Sequence, residues 1–166
     1  ALAAALISAV YIYFVYYSGA LMTEPFYIAG ILWTLDAALR LQTARPARWT
    51  QWLELGLAIG FTGLLRQVFL LFVPFLALWL FWSRGREATL RREETWLRSL
   101  SGTFVGLALA GIVTLALIAP WTVRNYRAFG EFVPLNTNSG YAFFWGNHPI
   151  YGTRFVGILP ADGPSY

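Results

Sequence analysis

Seven residues of types able to do chemistry gather on one side of the apolar runs of this chain: Glu24, Arg66, Gln67, Arg124, Asn125, Tyr126 and Arg127. A carboxylate can take a proton or balance a cation, and a guanidinium offers a planar fork of donors that binds two phosphate oxygens at once. One carboxylate and several cations beside a bilayer fit a lipid-linked phosphate. Glu24 also has a structural reading. In "TEPF", Thr23 or Glu24 can cap a helix whose first turn holds Pro25, and an anion at that end is favoured by about 0.3–1 kcal/mol. Arg66 lies between two apolar stretches with no acid beside it in sequence, so it either reaches for the membrane interface or meets an anion there. The single histidine, His148 in "GNHPIYG", reads as a turn residue, since one imidazole with no nearby carboxylate cannot build a metal site.

The elements that position these residues follow from composition. The chain has 166 residues, 58% hydrophobic and 12% charged, against roughly 45–50% and about 25% in soluble domains. That is membrane composition. All 12 basic residues are arginine, and there is no cysteine, which excludes a disulfide framework and a thiolate metal site. The net charge of +4 does not point to nucleic acid, because the arginines cluster between apolar runs instead of along one face; it points to anionic headgroups. A start at "ALAAALISAV" and an end at "ADGPSY" read as an internal fragment of a longer chain.

Five apolar stretches, about 1–17, 25–41, 51–66, 67–82 and 99–120, predict an all-α, polytopic transmembrane bundle of about five spans, followed by an outer-face loop region over 121–166. Short cytoplasmic loops collect positive charge. The two loops on one side carry 8 arginines and the other side 4, so the former are assigned to the cytoplasm and Glu24, Arg66 and everything after Pro120 to the outside. Trp33, Trp49, Trp52, Trp79, Trp82, Trp96 and Trp121 read as an interfacial belt. Gly56, Gly60 and Gly63, and Gly102, Gly106 and Ala110, read as seams where helices approach closely. Asp36 and Glu54 read as interfacial or arginine-paired.

Three strings, "MTEPFYIAGILWTL", "GLAIGFTGLLRQVFLLFVPFLALWLF" and above all "APWTVRNYRAFGEFVPLNTNSGYAFFWGNHPIYG", resemble the middle of bacterial GT-C membrane glycosyltransferases, the family 39-type group related to protein O-mannosyltransferases and lipid A aminoarabinose transferases. The resemblance covers nearly the whole chain. It implies transfer of a sugar from a polyprenyl-phosphate donor to an acceptor glycan, lipid or protein at the outer face of the bacterial inner membrane, the periplasmic side, usually with inversion. It further implies that the main base stands in a first outer loop before Ala1, and that cations or a divalent metal hold the leaving phosphate. Glu24 matches an auxiliary acid bordering the donor phosphate, and Arg66, Arg124, Asn125 and Tyr126 match substrate-binding positions.

Two other classes compete: a secondary transporter or flippase fragment, for which broken helices or polar residues near mid-membrane are expected, and a non-catalytic membrane scaffold, which leaves the "RNY" string unexplained. The arginine asymmetry makes a topological prediction. Single cysteines at Ser18, Ala47, Glu87 and Asn138 of the full-length protein are expected to react with an impermeant maleimide from outside at Ser18 and Asn138 only; labelling at Ala47 or Glu87 overturns the orientation.

Overall fold

In the computed structural model, residues 2–20, 22–44, 46–90 and 96–136 are described, and among them all regular structure is helical. The elements are α1 (Leu2–Val10), α2 (Ile12–Gly19), α3 (Glu24–Thr43), α4 (Trp49–Leu65), a 3₁₀ segment (Gln67–Leu71), α5 (Val73–Leu90) and α6 (Trp96–Phe129). Residues 137–166, which contain His148 and the end of the "APWTVRNYRAFGEFVPLNTNSGYAFFWGNHPIYG" string, lie outside the described residues.

Two helical stretches are long and apolar enough to cross a membrane, Gln67–Arg86 and Leu100–Phe129, and a third candidate exists if α1 and α2 form one broken span. Of the five expected spans, two, or three with the bent pair, have the length and composition of a span among the described residues. α3 carries Glu24, Asp36 and Arg40 along its 20 residues, and α4 has 17 residues, about 26 Å.

Three boundaries differ from the sequence expectation. The stretch 1–17 is broken at Tyr11, whose extended backbone separates α1 from α2 by a 56° bend. Neither proline nor glycine marks the break; it falls in "AVYIYFV", where β-branched and aromatic side chains hold the helix weakly. The stretch 67–82 begins as a 3₁₀ segment and becomes α-helical only at Val73. The outer loop drawn from Trp121 is helical as far as Phe129, because α6 continues through Pro120. Pro120 offers no N–H to the Ala116 carbonyl, yet the next turn is held from outside the helix by Trp121, Thr122 and Asn125, which all bond to the segment after Gly130. At 34 residues α6 is about 51 Å long, so its ends extend beyond a hydrocarbon layer of roughly 30 Å.

The core lies between α3, α4, α5 and α6 around Ala38, Leu41, Leu55, Ile59, Leu76 and Leu80. α3 and α4 run antiparallel: Glu24 meets Arg66, Gly30 faces Thr62 and Arg40 meets Glu54. α4 and α6 run parallel and close. A Cβ on Gly56 would sit 2.6 Å from the Ala110 carbonyl oxygen, one on Gly60 would sit 2.6 Å from the Leu117 side chain, and one on Gly106 would enter the Trp52 indole. Thr114 reinforces this seam by donating to the Gly56 carbonyl oxygen at 3.1 Å.

The glycine seams are thus real at Gly56, Gly60 and Gly106. Gly63 packs instead on Leu70 of the 3₁₀ segment, and at Gly102 an added Cβ would meet nothing within 4 Å. Trp52 leaves the expected interfacial belt for the core, 4% exposed, because Gly106 opens a space that only a large ring fills. Asp36 and Glu54 are arginine-paired, both to Arg40.

The seam predicts a contrast between two small changes. Gly56→Ala presses a methyl on backbone, which cannot rotate away, and is expected to destabilise the protein by about 1–3 kcal/mol. Gly102→Ala should be neutral or slightly stabilising, because alanine is the better helix former. Thermal unfolding of the two variants in detergent checks this, and equal melting temperatures would contradict the seam.

Candidate functional site

Glu24 and Arg66, 42 residues apart in sequence, meet where α3 begins and α4 ends. The start of α3 is set by Thr23, Glu24 and Pro25: proline suits the first turn, where its missing N–H costs nothing. Thr23 takes helical backbone angles and makes no side-chain cap. The Glu24 carboxylate instead accepts a hydrogen bond from Arg66 Nη2. Arg66 closes α4 in an extended conformation, its N–H bonded to the Thr62 carbonyl oxygen, and the 3₁₀ segment starts directly after it. The Arg66 guanidinium also lies over the Tyr27 ring, 5.7 Å from the centroid.

Both side chains of the pair are 45% exposed. An ion pair that open to water contributes about 0–1 kcal/mol, so stability alone explains little of the arrangement. Chemically, Arg66 spends one of its five side-chain N–H donors on Glu24 and keeps others for an incoming anion. Beside Glu24 a cleft of about 600 Å³ opens between α2 and the head of α3, walled by Tyr13, Phe14, Tyr17, Met22 and Glu24 itself. Aromatic faces next to one carboxylate can take a ring with polar edges.

The other expected site residues occupy the last turns of α6. Gly60 packs on Leu117, so Arg66 and Arg124, six and seven residues further on, stand at the same end of the bundle, each about 10 Å beyond that contact. No hydrogen bond, ion pair or ring contact joins the two groups among the described residues. Arg124 lies over the Trp121 ring, 4.9 Å from the centroid. Tyr126 is 58% exposed.

Asn125 is buried, and its Nδ2 donates to the carbonyl oxygens of Val133 at 3.2 Å and Leu135 at 3.0 Å. Trp121 Nε1 donates to Leu135 as well, and Thr122 Oγ1 to Pro134. The chain reverses at Gly130, φ 71°, a left-handed turn that glycine takes without strain. In "PWTVRN" the first, second and fifth residues after the proline thus tie down 133–135, and the arginine is left facing outward.

Among the described residues no three carboxylates, histidines or thiols come together. The described residues do not fit a divalent metal by themselves, since Glu24 is already engaged with Arg66.

By sequence Arg84 belongs to a cytoplasmic arginine cluster; in the fold it is 4% exposed. Its Nε donates to Thr103 Oγ1 at 3.0 Å, and Nη1 donates to the carbonyl oxygens of Leu41 and of Ala44, the latter at 3.2 Å. It also stacks on Trp52, 5.7 Å from the ring centroid. Arg84 thereby satisfies carbonyls that the end of α3 leaves without helical donors. The signal that could have found it is its period, since Leu76, Leu80 and Arg84 fall four residues apart on one buried stripe.

No protein-family model, curated protein or solved structure matches the chain.

The clamp on 133–135 predicts that Asn125→Ala strips the Val133 carbonyl of its side-chain donor and leaves Leu135 with Trp121 alone, at about 1–3 kcal/mol. Amide exchange over 131–136 should then accelerate by roughly tenfold to a hundredfold while the α4–α6 seam is unchanged. Unaltered exchange in that segment would contradict the clamp.

Proposed function

We propose that this chain is part of a membrane glycosyltransferase that passes a sugar from a polyprenyl-phosphate donor to an acceptor at the outer face of a bacterial inner membrane. In this reading α1 with α2, α3, α4, α5 and α6 are five spans. The observation that carries it is the Glu24–Arg66 pair, assembled from the ends of two helices beside an aromatic cleft, at the end of the bundle where Arg124 also stands.

Glycosyl transfer breaks the bond between the anomeric carbon and the phosphate oxygen. The electron pair leaves with the phosphate, while the acceptor oxygen bonds to the opposite face of the sugar and gives up its proton to a base. Negative charge on the departing phosphate grows toward the transition state, so cations held ready there stabilise the transition state more than the ground state. Arg66 and Arg124 supply that charge. Glu24 is the auxiliary acid that holds Arg66 in place. Tyr126, exposed near Arg124, meets the lipid or the sugar. Asn125 serves the site indirectly, through the segment that it holds.

A second reading, a transporter or flippase, draws on two observations, the 56° break between α1 and α2 and the charged Asp36, Arg40 and Glu54 within the apolar length of the bundle, since broken spans and polar groups at depth surround transport sites in such proteins.

Glu24→Gln keeps the size and hydrogen-bonding capacity of the side chain and removes its charge. In the full-length protein the melting temperature should stay within about a degree or two. Sugar transfer from a polyprenyl-phosphate donor should fall about a hundredfold or more, equivalent to roughly 2.7 kcal/mol of lost transition-state stabilisation. Normal turnover by a well-folded variant would return Glu24 to a helix-start residue. Movement of the labelled donor across a liposome without transfer would favour the transporter.

A further inference from the structure

Asp36, Arg40 and Glu54 form an ion network inside the apolar length of the bundle. Arg40 Nη2 lies 2.7 Å from Asp36 Oδ2 and 2.6 Å from Glu54 Oε1, and Trp33 Nε1 donates to the same Glu54 oxygen at 3.2 Å. The packing of α4 on α6 gives the depth. Trp52 covers Gly106 and Gly56 covers Ala110, so Glu54 stands level with residues 106–110 of α6. That is six to ten residues, about 9–15 Å, inside the apolar stretch that starts at Leu100.

At this depth the network is open to its surroundings. The side chains of Asp36, Arg40 and Glu54 are 65%, 50% and 31% exposed. Charged groups at membrane depth face protein or water, because lipid tails offer them no partner. Arginine can stretch toward the interface, but a short aspartate cannot. Two carboxylates against one guanidinium leave a net charge of −1, and among the described residues Arg40 is the one cation within ion-pair distance of either. From Glu54 an apolar stripe continues along α4 through Leu57, Phe61 and Leu64, each 41–43% exposed, with Trp33 of α3 beside Phe61 at 6.3 Å between ring centroids. The spacing, three and four residues, is that of one helix face.

We propose that this face of α3 and α4 is an interhelical interface whose occupant is an apolar membrane helix carrying one lysine or arginine at the depth of Glu54. The apolar stripe takes the body of that helix and the net negative network takes its cation. A second copy docked through the same face is disfavoured, since it sets two −1 clusters against each other. The inference is independent of the glycosyl-transfer reading.

The test uses the full-length protein in its native membrane, with a photo-reactive benzoylphenylalanine at Leu57 and, on another face, at Leu115. The expected product at Leu57 is a crosslink to a membrane-spanning peptide containing lysine or arginine, while Leu115 gives lipid adducts. Glu54→Lys should reduce the crosslink at least tenfold, and changing the basic residue of the captured helix to glutamate should restore it. A misfolded variant would not be restored in this way; Asp36→Lys, on an exposed side chain, repeats the experiment at a second position. Lipid adducts alone at Leu57, capture of the same face of a second copy, capture of a helix without a basic residue, or insensitivity to charge reversal each overturns the proposal. So does labelling of Asp36→Cys by a water-soluble maleimide, which would mean that the network faces water.

Discussion

An apolar surrounding gives a guanidinium or a carboxylate no water, so each charge inside such a bundle needs its partner within protein. Along the antiparallel pair α3 and α4 this chain meets that constraint within the apolar length, and it pairs its charges at the open end as well. Glu24 takes Arg66 at one end and Glu54 takes Arg40 towards the other. Beyond Arg40, Arg84 of α5 turns inward onto the carbonyls of Leu41 and Ala44 and the hydroxyl of Thr103, tying α3, α5 and α6 together. None of these contacts need contribute much energy singly. Their effect is on register: sliding α3 by one turn along α4 would leave Glu24, Glu54 and Arg66 unmatched, with Arg40 keeping only Asp36 of its own helix, whereas the leucine and alanine contacts between them can be remade with similar area.

The parallel packing of α4 and α6 converts that register into a site. Glycines at 56, 60 and 106 let the two helices approach until side chain meets backbone, and this fixes the height of α6 against the end of α4. Arg66 and Arg124 consequently stand at one end of the bundle although they come from different helices. The length of α6 completes the arrangement. By running on past Pro120 it carries Trp121, Thr122 and Asn125 to the chain that follows, and it leaves Arg124 facing out over an indole ring.

What could be read from the residues is what depends on local period and on the chemistry of lipid. The helical stretches, the common side of Glu24 and Arg66, and the arginine pairing of Asp36 and Glu54 all follow from where charges interrupt apolar runs. The failures arise where a distant partner decides. Pro120 looks like a stop, yet α6 runs on through it, with its next turn bonded to the carbonyls of Val133, Pro134 and Leu135. Trp52 looks like an interfacial anchor until Gly106 is known to lie across from it. Arg84 sits in an arginine cluster that reads as cytoplasmic and facing anionic headgroups, although its period places it on a buried stripe. The break at Tyr11 has no glycine or proline, and weak local propensity is visible there only with the bend already known.

Arg66 as a phosphate ligand held ready by Glu24 is the claim on which the proposed chemistry rests. The direct measurement is the affinity of the full-length protein in detergent for a polyprenyl phosphate without its sugar, by native mass spectrometry or quenching of tryptophan fluorescence. Arg66→Ala should weaken binding at least tenfold, about 1.4 kcal/mol, whereas Arg86→Ala, on an exposed side chain at the opposite end of α5, should leave it unchanged. Equal affinities for the wild type and Arg66→Ala would contradict that role.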